Sequence, residues 1–135
     1  MKCYGFPMKY LHTMLRVVDL EKSLKFYTEG LGFHLISRED YPKDKFTLAF
    51  IAPPGSGKDA PMIELTHNWE TKSYVHGDGY GHIAFQVDSI ADVQKRLKEH
   101  GYDLSWGPGE TPSGKRKMAF VDDPDGYEIE LLEGH

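Results

Sequence analysis

One stretch of this chain is written twice. His12 to Phe33 reads HTMLRVVDLEKSLKFYTEGLGF, and His82 to Tyr102 reads HIAFQVDSIADVQKRLKEHGY. In both, a histidine opens an apolar run and an aspartate (Asp19, Asp88) closes it. A glycine and then an aromatic residue follow that aspartate by thirteen and fourteen residues. Each copy ends on a matching phrase, Met62–Leu65 (MIEL) and Glu128–Leu131 (EIEL). Two phrases repeated in the same order mark a duplicated module, and such a module buries its apolar face by packing on its copy.

Each copy has a legible local structure. Residues 12–18 and 82–87 read as strands. Asp19 and Asp88 (or Ser89) are suited to cap a helix, because their side-chain oxygens accept the first free helical N–H groups. Leu20, Leu24, Tyr27 and Leu31 then fall at helical spacing, as do Ile90, Val93 and Leu97. Gly30 or Gly32 ends the first helix and Gly101 the second. Further strands are expected at 46–52, 61–67, 117–121 and 127–132. The stretches 53–59 and 107–115 read as loops from their Pro and Gly content, and Asp122–Gly126 (DDPDG) as a tight turn between strands. The expected class is α+β: two β-α-β-β-β modules, 8–67 and 82–133, joined by a linker at 68–81 that is loosened by Gly77, Gly79 and Gly81. Together they form a single domain, with helices outside and strands curved around a cleft.

Strand side chains alternate faces, so parity decides which residues can meet. If Leu11, Leu15 and Val17 pack against the helices, His12, Met14 and Arg16 take the other face. In the second copy Ile83, Phe85 and Val87 pack, leaving His82, Ala84 and Gln86 opposite. Ile63 and Leu65 turn Glu64 away together with Met62, Thr66 and Asn68; Ile129 and Leu131 do the same for Glu130. Taken singly, a strand histidine is more often a hydrogen-bonded residue than a ligand, and such a glutamate usually marks the wet face of a sheet. Two His–Glu pairs at equivalent repeat positions point instead to a metal site of two nitrogens and two oxygens. That set suits zinc, nickel, cobalt or manganese and lacks the thiolates of a structural zinc site. Six-coordination would leave two positions for a substrate with adjacent oxygens. His34, His67, His76, His100 and His135 have no repeat-matched partner and read as surface residues or neighbours of the site.

Bulk properties narrow the field. A net charge of −5 argues against nucleic acid as a partner. The apolar runs are only a few residues long, too short for a membrane span or a signal-peptide core. The one cysteine, Cys3, has no intramolecular partner for a disulfide, and a cytoplasmic location is the expectation.

With these residues in view, the chain resembles the glyoxalase I family of the vicinal-oxygen-chelate fold. The phrases that carry the resemblance are Leu11–Phe33, Thr47–Phe50 (TLAF), Ile63–Trp69 (IELTHNW), Tyr80–Ala84 (YGHIA) and Ala119–Leu131 (AFVDDPDGYEIEL). The resemblance implies a glyoxalase/bleomycin-resistance fold with a divalent metal held by His12, Glu64, His82 and Glu130. Glu130 also serves as the base, with Glu64 as the other catalytic carboxylate, and Arg16 and Asn68 hold the glutathione part of the substrate. The implied reaction converts the hemithioacetal of methylglyoxal and glutathione to S-D-lactoylglutathione by proton transfer through an enediolate. Relatives of this size pair as homodimers with shared active sites, so His12 and Glu64 would come from one chain and His82 and Glu130 from the other.

Some positions depart from the family pattern. Asp78 stands four residues before His82, where some members place an arginine for a glutathione carboxylate. The 107–118 loop matches no version closely, and its Lys115, Arg116 and Lys117 are the cations available to replace that charge. Compact length resembles nickel- or cobalt-activated members, whereas ELTHNW and the GKRK loop resemble zinc-activated ones; nickel is favoured, with zinc or cobalt as the alternatives. The competing readings are a drug-sequestering module of the same fold, which needs no metal set; an extradiol-type dioxygenase, which uses two histidines and one carboxylate; and a purely structural partner domain.

Overall fold

The computed structural model describes residues 5–134, so Cys3 and His135 lie outside the described residues. The first half runs β1 (His12–Arg16), α1 (Leu20–Lys25), β2 (His34–Tyr41), β3 (Phe46–Ala52) and β4 (Met62–Asn68). The second runs β5 (Ile83–Val87), α2 (Ile90–Glu99), β6 (Trp106–Glu110), β7 (Lys117–Asp122) and β8 (Glu128–Glu133). Each half makes one four-stranded sheet, ordered β1-β4-β3-β2 and β5-β8-β7-β6. The first strand of each half lies parallel to its last, and the remaining pairs are antiparallel. This is the α+β arrangement of two β-α-β-β-β units.

Two of the eight strands that the β-α-β-β-β pattern requires have no range in the sequence reading. β2 is exposed at all eight positions, and β6 is nearly so. Both lie at sheet edges, where backbone pairing alone suffices and no apolar alternation is written into the side chains. Part of the expected 107–115 loop is therefore strand. Leu11 also departs from expectation: it is 59% exposed, because it precedes the first strand instead of packing within it.

The caps follow the chemistry of short oxygen-bearing side chains. Asp19 Oδ1 accepts from the Lys22 N–H at 3.1 Å. Ser89, the alternative to Asp88, caps α2 by accepting from the Asp92 N–H at 3.2 Å. α1 continues through one π-type turn over Phe26–Gly30, closed by a 3.1 Å bond from Leu31 N–H to Phe26 C=O. Across this wider turn the adjacent Phe26 and Tyr27 are both buried. A single core joins the halves, with Leu20, Leu24 and Tyr27 from the first meeting Ile90, Leu97 and Ile129 from the second. Gly30 sits at that junction. A Cβ there would come within 3.1 Å of the Tyr102 ring, so a larger residue would push the two helical layers apart.

The DDPDG turn is the polar tie between the halves. Asp123 is 4% exposed. Its Oδ1 accepts from the N–H groups of Asp125 and Tyr127, both at 2.9 Å, and its Oδ2 from the Tyr27 hydroxyl at 2.7 Å. Burial pushes the Asp123 carboxyl up to about 6, against these three donors. Burial and the facing carboxylate likewise hold Tyr27 well above the usual phenol range. Asp125 accepts from the Val18 N–H at 2.9 Å and from the Ser23 hydroxyl at 3.3 Å. Gly126, at φ +87°, turns the chain back into β8 in a conformation that side-chain-bearing residues rarely adopt.

Candidate active site

Two His–Glu pairs lie on the sheet faces turned away from the helices. In the first sheet, the parallel register sets Glu64 of β4 beside Met14 of β1, which leaves His12 one pleat along on the same face. His12 Nε2 and Glu64 Oε1 are 3.2 Å apart. In the second sheet Glu130 of β8 lies beside Ala84 of β5, and His82, just ahead of β5, reaches it with Nε2 to Oε1 at 3.4 Å. The two pairs match in exposure: the histidines are 36% and 41% open, the glutamates 15% and 14%.

These spacings fit donors to one ion. Nitrogen and oxygen ligands each about 2.0–2.2 Å from a metal stand about 3.0 Å apart at octahedral cis positions and about 3.4 Å apart at tetrahedral ones. A pair alone makes only half a site. Among the described residues no three of His, Cys, Asp or Glu converge to hold a cation. Within one chain, then, the structure brings His12 to Glu64 and His82 to Glu130, and does not bring the two pairs together.

Two residues missed in the sequence reading complete the pairs. Phe50 on β3 lies opposite Glu64, and Phe120 on β7 opposite Glu130. Each presents a ring nearly perpendicular to its histidine, with centroids at 5.4 Å for His12–Phe50 and 5.6 Å for His82–Phe120. The signal was in the repeat: Ala49-Phe50-Ile51 and Ala119-Phe120-Val121 stand at equal distances from their histidines. Beside the second pair lies an open recess of about 460 Å³ lined by Ser105, Trp106, Phe120, Asp122 and Glu128. A cavity of about 510 Å³ beside α1, lined by Arg38, His67 and Trp69 among others, holds none of the four His and Glu residues.

The expected substrate contacts divide between the sheets. Arg16 closes β1 on the same side as His12, with an exposed side chain that has no carboxylate partner among the described residues. Asn68 ends β4, its amide donating to the Tyr74 hydroxyl at 3.0 Å. Lys115 is exposed in the turn before β7. Arg116 is engaged internally, donating through Nε to Glu133 C=O and through Nη2 to Gln86 Oε1, both at 3.0 Å. The 68–81 linker packs against its own second half. His76 stacks on Tyr127 at 4.3 Å, and the Tyr80 hydroxyl donates to Glu128 C=O at 2.9 Å.

The family model of the Glyoxalase/Bleomycin resistance protein/Dioxygenase superfamily matches residues 9–131. A lactoylglutathione lyase of Neisseria meningitidis is 48% identical over 126 residues, which cover 93% of this chain and 91% of that protein. Among solved structures, the trypanothione-dependent glyoxalase I of Leishmania major superposes with a TM-score of 0.78 at 42% identity, over 94% of this chain and 87% of that one. Glyoxalase I from Zea mays gives a TM-score of 0.85 at 35% identity; it is covered by 93% of this chain, which spans 44% of the maize chain. A duplicated β-α-β-β-β fold, a His–Glu pair on each sheet and near-complete overlap with the Neisseria enzyme place the chain in the Glyoxalase/Bleomycin resistance protein/Dioxygenase superfamily and, within it, among the lactoylglutathione lyases.

Proposed function

We propose that the chain carries out the lactoylglutathione lyase reaction as a homodimer with two shared metal centres. Each centre takes His12 and Glu64 from one chain and His82 and Glu130 from its partner. The observation that carries this reading is the geometry of the pairs: each has ligand spacing, at 3.2 and 3.4 Å, yet neither finds a third donor among the described residues of its own chain. β1 and β5 are both edge strands, so the strand that begins at His12 and the one that follows His82 each have a side without a strand neighbour, on which a second copy can settle.

The substrate on this reading is the hemithioacetal of methylglyoxal and glutathione, and the product is S-D-lactoylglutathione. A divalent ion in the centre, with nickel favoured over zinc or cobalt, supplies positive charge against the negative charge that develops on two adjacent substrate oxygens. Glu130 takes the proton from C1 and returns it at C2, with Glu64 as the alternative base. Phe50 and Phe120 wall the histidines and limit water beside them. Arg16 and Asn68 hold the glutathione part, with Lys115 as the nearest cation of the second sheet. Arg116 acts through Gln86 instead of reaching substrate. No helix among the described residues is long and apolar enough to cross a membrane, and the cytoplasm is the compartment that suits a glutathione-dependent reaction.

Thioester absorbance should grow when methylglyoxal and glutathione are supplied, vanish after chelation and return with nickel or zinc. Subunit mixing tests the sharing. A His12→Ala chain co-refolded with a His82→Ala chain should regain activity, because one of the two centres in the mixed dimer keeps all four ligands. A mixed dimer with no activity, or a fully active monomer by sedimentation, refutes sharing.

A further inference from the structure

We propose that Tyr127 is a positioning residue for substrate grip: from the second half of the chain it fixes the end of β1, and with it the direction in which Arg16 leaves the strand. This rests on the reading of Arg16 as a glutathione contact. β1 pairs only with β4, and the Val17 N–H bonds to Thr66 C=O at 2.9 Å. By alternation the Arg16 C=O and the Val18 N–H therefore point away from β4, along an edge with no neighbouring strand. Both are nevertheless bonded. Tyr127 donates its hydroxyl to Arg16 C=O at 2.9 Å, and Asp125 Oδ1 accepts from the Val18 N–H at 2.9 Å. Two groups flanking one residue on an open edge are thus tied by a turn more than a hundred residues away.

The tie is rigid at its origin. Tyr127 is 8% exposed. Its ring is stacked on His76 at 4.3 Å and met edge-on by Tyr80 at 5.1 Å, while Asp123 Oδ1 holds its N–H at 2.9 Å. The second half shows what β1 would lack without it. Gln86, the repeat counterpart of Arg16, receives no such bond on its C=O among the described residues; its side chain is held instead, by Arg116 at 3.0 Å. The Arg16 side chain has no hydrogen-bond or ion-pair partner among the described residues, so its backbone is where its direction is set. The tolerance is narrow: a long side chain whose root turns by about 10–20° misses a productive contact.

The test is a double-mutant cycle on the metal-loaded enzyme with the methylglyoxal–glutathione adduct. Tyr127→Phe keeps the ring and removes only the hydroxyl. It should raise KM about two- to tenfold, the range of one neutral hydrogen bond. Turnover per bound metal should stay within about twofold of wild type, with metal content unchanged, as expected when only binding is lost. In an Arg16→Ala background the same change should leave KM where Arg16→Ala alone puts it, because the effect runs through Arg16. A wild-type KM for Tyr127→Phe beside a raised KM for Arg16→Ala overturns the proposal. So does an equal rise in both backgrounds. If Arg16→Ala itself leaves KM unmoved, the reading of Arg16 fails first and the proposal falls with it.

Discussion

Replacing Asp123 with asparagine measures the cost of burying a carboxylate between the two halves. An aspartate in an unfolded chain titrates near 3.9, whereas burial raises Asp123 to about 6 in the folded protein. The folded state therefore takes up a proton first as pH falls. Stability gained through this group is absent above about pH 6, grows between about 6 and 4, and is complete below the unfolded value. A gap of about two units is worth about 3 kcal/mol. Asparagine keeps an oxygen for the N–H groups of Asp125 and Tyr127 and sets an NH2 against the Tyr27 hydroxyl, which can rotate to accept. Urea unfolding of both proteins in chelator, from pH 4 to 8, gives two stability curves, and their difference cancels every carboxylate they share. The wild type should gain about 2 kcal/mol on the variant as pH drops from 7 to 4, most of the full value. A flat difference would mean that the three donors offset burial, and one of opposite slope that they outweigh it; either would refute the reasoning.

The proposed metal ligands make separate demands. Glu64→Gln and His82→Ala should each lose most bound divalent metal, about 10–100-fold in affinity or more, while circular dichroism stays native; full metal content in both by elemental analysis removes the assignment. Glu130→Gln should lower turnover per bound metal further than its loss of metal explains, since it deletes a base as well as a ligand. A wild-type value per metal would pass the role of base to Glu64. Arg16→Ala should raise KM by about 10–150-fold, the range of a charge-assisted bond of about 1.5–3 kcal/mol, with a smaller change in maximal rate. An unchanged KM would make Arg16 a bystander.

What could be read from the residues alone followed from how strongly burial writes itself into sequence. Leu15, Val17, Ile63, Leu65, Ile129 and Leu131 are all buried, and their alternation gave the faces of β1, β4 and β8 and hence the two His–Glu pairs. β2 and β6 left no such trace, because edge strands need only backbone partners. The pairing of Arg116 with Gln86, and of Tyr127 with Arg16, joins residues distant in the chain, and no local pattern encodes such contacts. That the two pairs stay apart within one chain was equally invisible, since duplication allows closure within a chain or between chains.

The two sheets repeat each other at the His–Glu pairs and differ one pleat further on. Beside the first pair run Arg16, Thr66 and Leu48; beside the second run Gln86, Leu132 and Met118. In the assembled centre proposed above, a cradle of two equivalent pairs is blind to which end of a substrate enters first. By itself it would hold two opposed orientations at equal energy, and the transferred proton would return to either face of the carbon. The unlike rows lift that degeneracy. A tenfold preference needs only about 1.4 kcal/mol, which a single contact from Arg16 can supply. On that proposal the orientation of the substrate, and with it the face on which Glu130 works, is set by the residues on which the two halves diverged, since the paired ligands alone do not distinguish its two ends.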